Sequence, residues 1–268
     1  MIKKYLVIFT IICISLLMFG CTNNYKYSQK INTAIEEDNF ELFCSLLEKG
    51  KNFDSRQYFM SLDRVNLPPL HYACNLGKYE YVEKLIEYGA DVNNTNHPIK
   101  LTPLMITLNR SINKDKFKIA KLLIESGADI NIEVYSFTAI DYVFTQNIIN
   151  YDENTEKLEF EFAKYLIDKG ASIENNNLGN LIFIASRTNN LMMVKYLIES
   201  MNVDMNMQDK VCENTPLMWA VKYDCYNVVK YLIDNNANLE IKNNENKTAI
   251  DIALENNNEA IIELLNNN

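Results

Sequence analysis

A short phrase, Leu-Ile-Glu-Tyr-Gly-Ala-Asp-Val-Asn from Leu85 to Asn93, returns as Leu-Ile-Glu-Ser-Gly-Ala-Asp-Ile-Asn from Leu123 to Asn131 and as Leu-Ile-Asp-Lys-Gly-Ala-Ser-Ile from Leu166 to Ile173. Weaker copies begin at Leu197 and Leu232. Recurrence at a spacing of roughly 33 to 43 residues means that one supersecondary unit is stacked several times, because a single unit cannot bury its apolar face alone. The chain is therefore read as a solenoid. Such a stack offers an extended surface more readily than a closed cleft.

A second phrase precedes each copy: Pro-Pro-Leu-His at Pro68–His71, Thr-Pro-Leu-Met at Thr102–Met105 and again at Thr215–Met218, and Thr-Ala-Ile-Asp at Thr138–Asp141 and at Thr248–Asp251. Threonine suits the cap of a helix through its hydroxyl, and proline suits the first helical position. A small residue follows at Ala73, Ala185, Ala220 and Ala253, which lets paired helices approach closely. Gly89, Gly127 and Gly170 supply a left-handed stop to the second helix, and Asn236 stands where the other copies have glycine. The two linked phrases, in register, resemble the ankyrin repeat. The resemblance implies an all-α solenoid of about seven helix-turn-helix units, degenerate caps included.

The ends of the array lose parts of the pattern. Residues 31–66 keep Ala34 and the helix ending at Gly50 but lack the threonine phrase, so they are read as an N-terminal cap with an extended link, Phe53 to Asn66. Residues 67–246 hold the central repeats, and 247–268 form the C-terminal cap. At roughly 33 residues per unit, no room is left for a separate catalytic domain.

Ahead of the repeats, Lys3 and Lys4 precede an apolar stretch from Tyr5 to Phe19, followed by Gly20 and Cys21. A basic start, a short apolar region and a small residue before the cut describe a secretory signal over residues 1–20. The apolar run is short for a span, which needs about 20 residues. Leu-Leu-Met-Phe-Gly-Cys also resembles the bacterial lipobox, with Met18 in place of the usual leucine. By that resemblance Cys21 carries a lipid, and residues 21–30 are a polar tether. This implies a lipid-anchored protein of a bacterial cell envelope, facing the periplasm or the exterior. The alternative is an uncleaved signal anchor.

Charge and chemistry narrow the function further. Once Lys3 and Lys4 leave with the signal, 24 of the 26 basic side chains face 35 acidic ones, a charge of −11. That surface repels phosphate backbones, so no nucleic-acid partner is expected. Of six cysteines, Cys13 leaves and Cys21 is lipidated; the ankyrin resemblance places Cys212 at the hairpin before its repeat and Cys225 at the far end of the first helix, about 15 Å apart and too far for a disulfide. Free thiols are expected, with Cys74 a small core residue. Only His71 and His97 are present. The family resemblance makes His71 a structural hydrogen-bonding residue near the hairpins, and His97 is placed at a hairpin tip as a contact residue. No spaced ligand set for a metal appears, nor a nucleophile motif or a phosphate-binding loop, so neither cofactor nor enzymatic step is expected. Lys121, Lys164, Lys195 and Lys230 each precede an acid by four residues, Glu125, Asp168, Glu199 and Asp234, which marks the solvated face of the second helices.

The repeat frame breaks in two neighbouring units, which are expanded near Asn109 to Lys116 and near Gln146 to Leu158 and carry Thr107 and Val143 in place of the small helix residue. Such insertions map to loops that carry recognition or drift neutrally. The ankyrin resemblance implies that hairpin tips and first helices form a concave binding face. Carried onto this chain, it places His97, Glu133, Tyr135, Asn176 and Asp209 at the tips. Tyr72, Tyr142 and Trp219 share one frame on the first helices, where they act as interface anchors or fill gaps between repeats. The expected function is that of a monomeric, envelope-anchored scaffold for a protein partner. A small-ligand or enzyme-regulatory module that uses the 146–158 insertion is the alternative.

Overall fold

The computed structural model describes residues 26–49, 67–96, 99–109, 113–144, 153–173 and 181–267. Among them the regular structure is helical, and the one β-type pairing is a bridge between Val134 and Phe137. The fold is the expected ankyrin-repeat solenoid. It divides into two compact units, one holding the described residues to Leu108 and from Asn113 to Asp129, the other holding Asn109 and those from Ile130 onward.

In the first unit, helices α1 (26–36), α2 (Phe40–Leu47), α3 (Pro69–Leu76), α4 (Tyr79–Glu87), α5 (Pro103–Leu108) and α6 (Lys114–Glu125) form successive antiparallel pairs. First helix packs on first helix, α3 against α5, and second on second, α4 against α6. The core is built from Ile31 and Ile35, Phe43 and Leu47, Leu70 and Ala73, Val82 and Leu85, Leu104, and Ile119 and Leu123, all fully buried. Each large aliphatic side chain so placed contributes about 1.5–3 kcal/mol. Residues 26–30, expected in the polar tether, are helical instead. Tyr27 and Ser28 are buried there, and the Tyr27 hydroxyl donates to the Leu46 carbonyl, so the cap begins earlier than its amino-acid pattern shows.

The second unit repeats the arrangement with α7 (Ala139–Val143), α8 (Glu153–Asp168), α9 (Leu181–Arg187), α10 (Leu191–Lys195), α11 (Pro216–Lys222), α12 (Tyr226–Asp234), α13 (Ala249–Asn256) and α14 (Glu259–Asn266). Helices α9, α11 and α13 pack side by side, and so do α8, α10, α12 and α14. Ala185, Ala220 and Ala253 lie at the close approach, each fully buried. Where the expanded units carry larger residues, Thr107 and Val143 are equally buried, and the Thr107 hydroxyl is satisfied by the Pro103 carbonyl at 2.8 Å.

The threonine phrase works through two different caps. At Thr102 and Thr215 the hydroxyl oxygen accepts from the backbone N–H three residues on, Met105 at 3.1 Å and Met218 at 3.2 Å, with proline at the first helical position. At Thr138 and Thr248 the aspartate of Thr-Ala-Ile-Asp reaches back to the threonine N–H, at 2.6 Å for Asp141 and 2.8 Å for Asp251. The second helices stop as expected, on residues of positive φ: +84° at Gly89, +92° at Gly127, +95° at Gly170 and +65° at Asn236.

Part of each expected loop insertion is helix. Asn113 caps α6 by accepting from the N–H groups of Asp115 and Lys116, and α6 runs for 12 residues against nine in α4 and α12. Helix α8 has 16 residues, so 153–158 form its opening turns; residues 110–112 and 145–152 lie outside the described set. A third irregularity sits in the weakest copy of the phrase. Val203 N–H reaches the Leu197 carbonyl, six residues back, where Ala237 reaches Leu232 and Ala128 reaches Leu123, five back. The extra residue is absorbed by a π-helical turn, Tyr196–Ser200, after which Asn202, at φ +54°, takes the left-handed position.

Candidate binding surface

The asparagine that ends the repeated phrase is a clamp between successive hairpins. Asn93 donates its amide to the Gly127 carbonyl at 3.1 Å and accepts from the Asp129 N–H at 2.8 Å. Asn131 does the same one repeat later, with Gly170 at 2.9 Å and Ser172 at 2.9 Å. Asn206 accepts from the Asn238 N–H at 2.8 Å. Sequence reasoning treated these residues as part of the phrase and missed their role, although their recurrence was the available signal. His71 has its expected part: its Nε2, fully buried, donates to the carbonyls of Asn94 and Leu101 at 2.8 and 3.1 Å and ties α3 to the hairpin.

In the second unit the hairpins are further stitched at their tips. Gln208 donates to the Lys242 carbonyl at 2.9 Å, Asn244 to Val211 at 3.1 Å, and Asn243 to the Asn214 side chain at 2.8 Å. Asp209 organises the 209–214 turn. Its Oδ1 accepts from the N–H groups of Val211 and Cys212, and its Oδ2 from the N–H of Asn214 and from Trp219 Nε1 at 3.0 Å.

Two expected contact residues are thereby turned inward. Asp209 is 1 % exposed and Trp219 5 %, because the carboxylate and the indole N–H satisfy each other in a buried site. Both hold the hairpin together. Their burial brings up neighbours that sequence reasoning did not single out. Tyr223, 49 % exposed, stacks on Trp219 with ring centroids 6.0 Å apart, and Lys222 Nζ lies 5.2 Å from the Trp219 ring. Spacing of three and four residues along α11 puts Trp219, Lys222 and Tyr223 on one side. Next to them, Lys247 bridges Glu245 at 2.7 Å and Glu255 at 2.8 Å, and Val211 is half exposed at its tip.

Glu133 and Tyr135 occupy the hairpin that the Val134–Phe137 bridge closes. Tyr135 and Ser136 both have positive φ, +53° and +68°, the pattern of a tight two-residue turn, and Tyr135 is 66 % exposed. Tyr142 on α7 is half-buried, edge-on to Phe137 at 6.3 Å, and burial pushes its hydroxyl pKa up. Tyr72 is half-buried on α3 in the first unit. His97, Asn176 and Cys21 lie outside the described residues.

Electrostatics around these groups is that of a folded surface. The Cys74 thiol is pushed up to about 12 and that of Cys225 to about 11, both by burial. Lys164 and Lys230 pair with Asp168 and Asp234 as expected, at 3.3 and 3.2 Å. Glu199 instead accepts from the Tyr231 hydroxyl at 2.9 Å, leaving Lys195 over the Tyr231 ring. Among the described residues no cluster of three or more His, Cys, Asp and Glu side chains could hold a metal, and no helix is long and apolar enough to cross a membrane.

Short helix pairs stacked side by side and joined by stitched hairpins define a helical repeat module. A family model for ankyrin repeats in three copies matches residues 31–134 and 181–268, more than half of the chain, and the chain belongs to the ankyrin repeat family. It is 27 % identical to the ankyrin repeat protein OPG189 of Variola virus over 228 residues, which are 85 % of this chain and 30 % of that one. It is 41 % identical to the human palmitoyltransferase ZDHHC13 over 64 residues, 24 % of this chain and 10 % of the relative. Both relatives are thus much longer than the part that the chain spans. Its fold is similar to the human ASB11 ankyrin repeat domain, with a TM-score of 0.66, 22 % identity, and coverage of 88 % of this chain and 95 % of that domain. Membership of this family suggests a protein-binding scaffold.

Proposed function

We propose that the chain is a non-enzymatic, monomeric protein-binding scaffold, held at a bacterial cell envelope by a lipid on Cys21. The partner is taken by hairpin tips and first helices of the second unit, around Glu133, Tyr135, Lys222 and Tyr223. The observation that carries this reading is the Tyr135 turn. A non-glycine residue in the left-handed region costs about 1–3 kcal/mol, a cost that glycine or asparagine avoids; here it holds an aromatic ring 66 % exposed. Tyrosine combines large contact area with little lost freedom, which suits it to recognition. Support for the envelope anchor comes from the basic start, the apolar run to Phe19 and the Gly20–Cys21 pair.

The test is crosslinking of the tagged protein in its native envelope, followed by mass spectrometry, with a Glu133→Ala, Tyr135→Asn, Tyr223→Ala variant alongside. Asparagine at 135 removes the ring and tolerates the turn. One dominant partner, lost in the variant, is the expected result. Equal capture by both proteins would refute binding through this face.

A further inference from the structure

Along the second helices, the position held by Lys121, Lys164, Lys195 and Lys230 becomes Cys44 in α2 and Glu83 in α4, while the acid four residues on is kept as Glu48 and Glu87. Helix α4 adds Glu80, so Glu80, Glu83 and Glu87 share one side of it. Lys84 pairs with Glu87 at 2.7 Å, and among the described residues no cation pairs with Glu48, Glu80 or Glu83. These side chains, Lys84 included, line a groove of about 520 Å³ in the first unit together with Phe40, Cys44 and Tyr88. Between the same two helices, α2 and α4, the ring of Tyr81 meets those of Phe40 and Phe43, with centroids 5.1 and 4.8 Å apart. Phe40 and Tyr88 remain 37 % and 41 % exposed.

We propose that the groove between α2 and α4 docks a cationic amphipathic helix of a partner protein, on the side of the stack opposite to the first helices. Charge complementarity selects the occupant. Three carboxylates without ion pairs surround an opening with aromatic walls, so a segment whose lysines or arginines flank an apolar anchor satisfies both features. Like charges one turn apart destabilise a helix, and a cationic partner relieves that repulsion on binding. Helix α4 is roughly 13 Å long, which matches a partner helix presenting anchors at i, i+4 and i+7. Affinity carried by such charges falls as salt rises.

The probe is a fluorescein-labelled 16-residue Lys/Leu peptide of helical periodicity, titrated into the full chain by anisotropy. Its counterpart with glutamate in place of lysine is the peptide control. The Glu48→Gln, Glu80→Gln, Glu83→Gln variant is expected to bind the lysine peptide at least tenfold more weakly. Its melting temperature should be no lower than that of the parent, since repulsion is removed. A Glu125→Gln, Glu199→Gln, Glu240→Gln variant, with the same charge lost elsewhere, is expected to bind as the parent does, and so is the Tyr135→Asn, Tyr223→Ala variant. Equal weakening in the two glutamine triples would reduce the effect to general charge attraction and overturn the proposal. So would failure of the lysine peptide to bind the parent, or equal binding of the glutamate peptide.

Discussion

Asp209 gathers four N–H donors on two oxygens in a site that is 1 % exposed. An amide in its place would present hydrogens to two of those donors. Asp209→Asn is therefore expected to cost about 2–3 kcal/mol. Trp219, the only tryptophan in the chain, reports the loss directly through a red-shifted emission alongside a lower denaturation midpoint. Gly127 tests a different kind of residue. A Cβ there would meet no atom within 4 Å, so only φ +92° resists a side chain. Gly127→Val should lower stability by about 1–3 kcal/mol, measurable by thermal melting, because a β-branched residue resists the left-handed region. At Asp251 the hydrogen bonds from the Thr248 backbone and hydroxyl hold the carboxyl below its ordinary 3.8. A depressed folded pKa gives stability that is present above pH 3.8 and is lost as pH falls through the folded value. Asp251→Asn should flatten the decline of melting temperature with acid.

Among the elements, the helix pairs were legible in the amino-acid sequence because their caps and stops are local. Thr215, Pro216 and Gly127 each act within one turn of their own position. The start of α1 was not legible, because Tyr27 and Ser28 look polar, yet both are buried and the Leu46 carbonyl is brought to the Tyr27 hydroxyl only by folding. The candidate surface was read only in part for the same reason. Tyr135 depends on a turn of a few residues, whereas Trp219 is turned inward by Asp209, ten residues away, and that contact exists only after folding. The π-helical turn at Tyr196–Ser200 also escaped, since one extra residue looks like a degraded copy. Deleting Met201 leaves Leu-Ile-Glu-Ser-Asn-Val-Asp-Met-Asn, in register with the copy from Leu123 to Asn131. That deletion is expected to keep the fold with a melting temperature no lower than the parent's.

At the scale of the whole molecule, each repeat owes its order to the repeats packed beside it, so the residues proposed for recognition differ from those that carry stability. The buried aliphatic and alanine positions repeat, while Glu133, Tyr135, Lys222 and Tyr223 do not. The proposed attachment through Cys21 is tested separately. Cys21→Ser is expected to leave an unprocessed precursor that fractionates away from the envelope, read by fractionation and intact-mass measurement; normal processing would refute the lipid anchor. The asparagine clamps carry one more consequence. In these bonds Asn93 and Asn131 address main-chain groups of the repeat that follows, so the bonds themselves do not depend on which side chains that repeat displays. A repeat that is duplicated, exchanged or given a new tip is therefore expected to find its docking groups waiting, so that the surface of the stack can be rewritten one hairpin at a time.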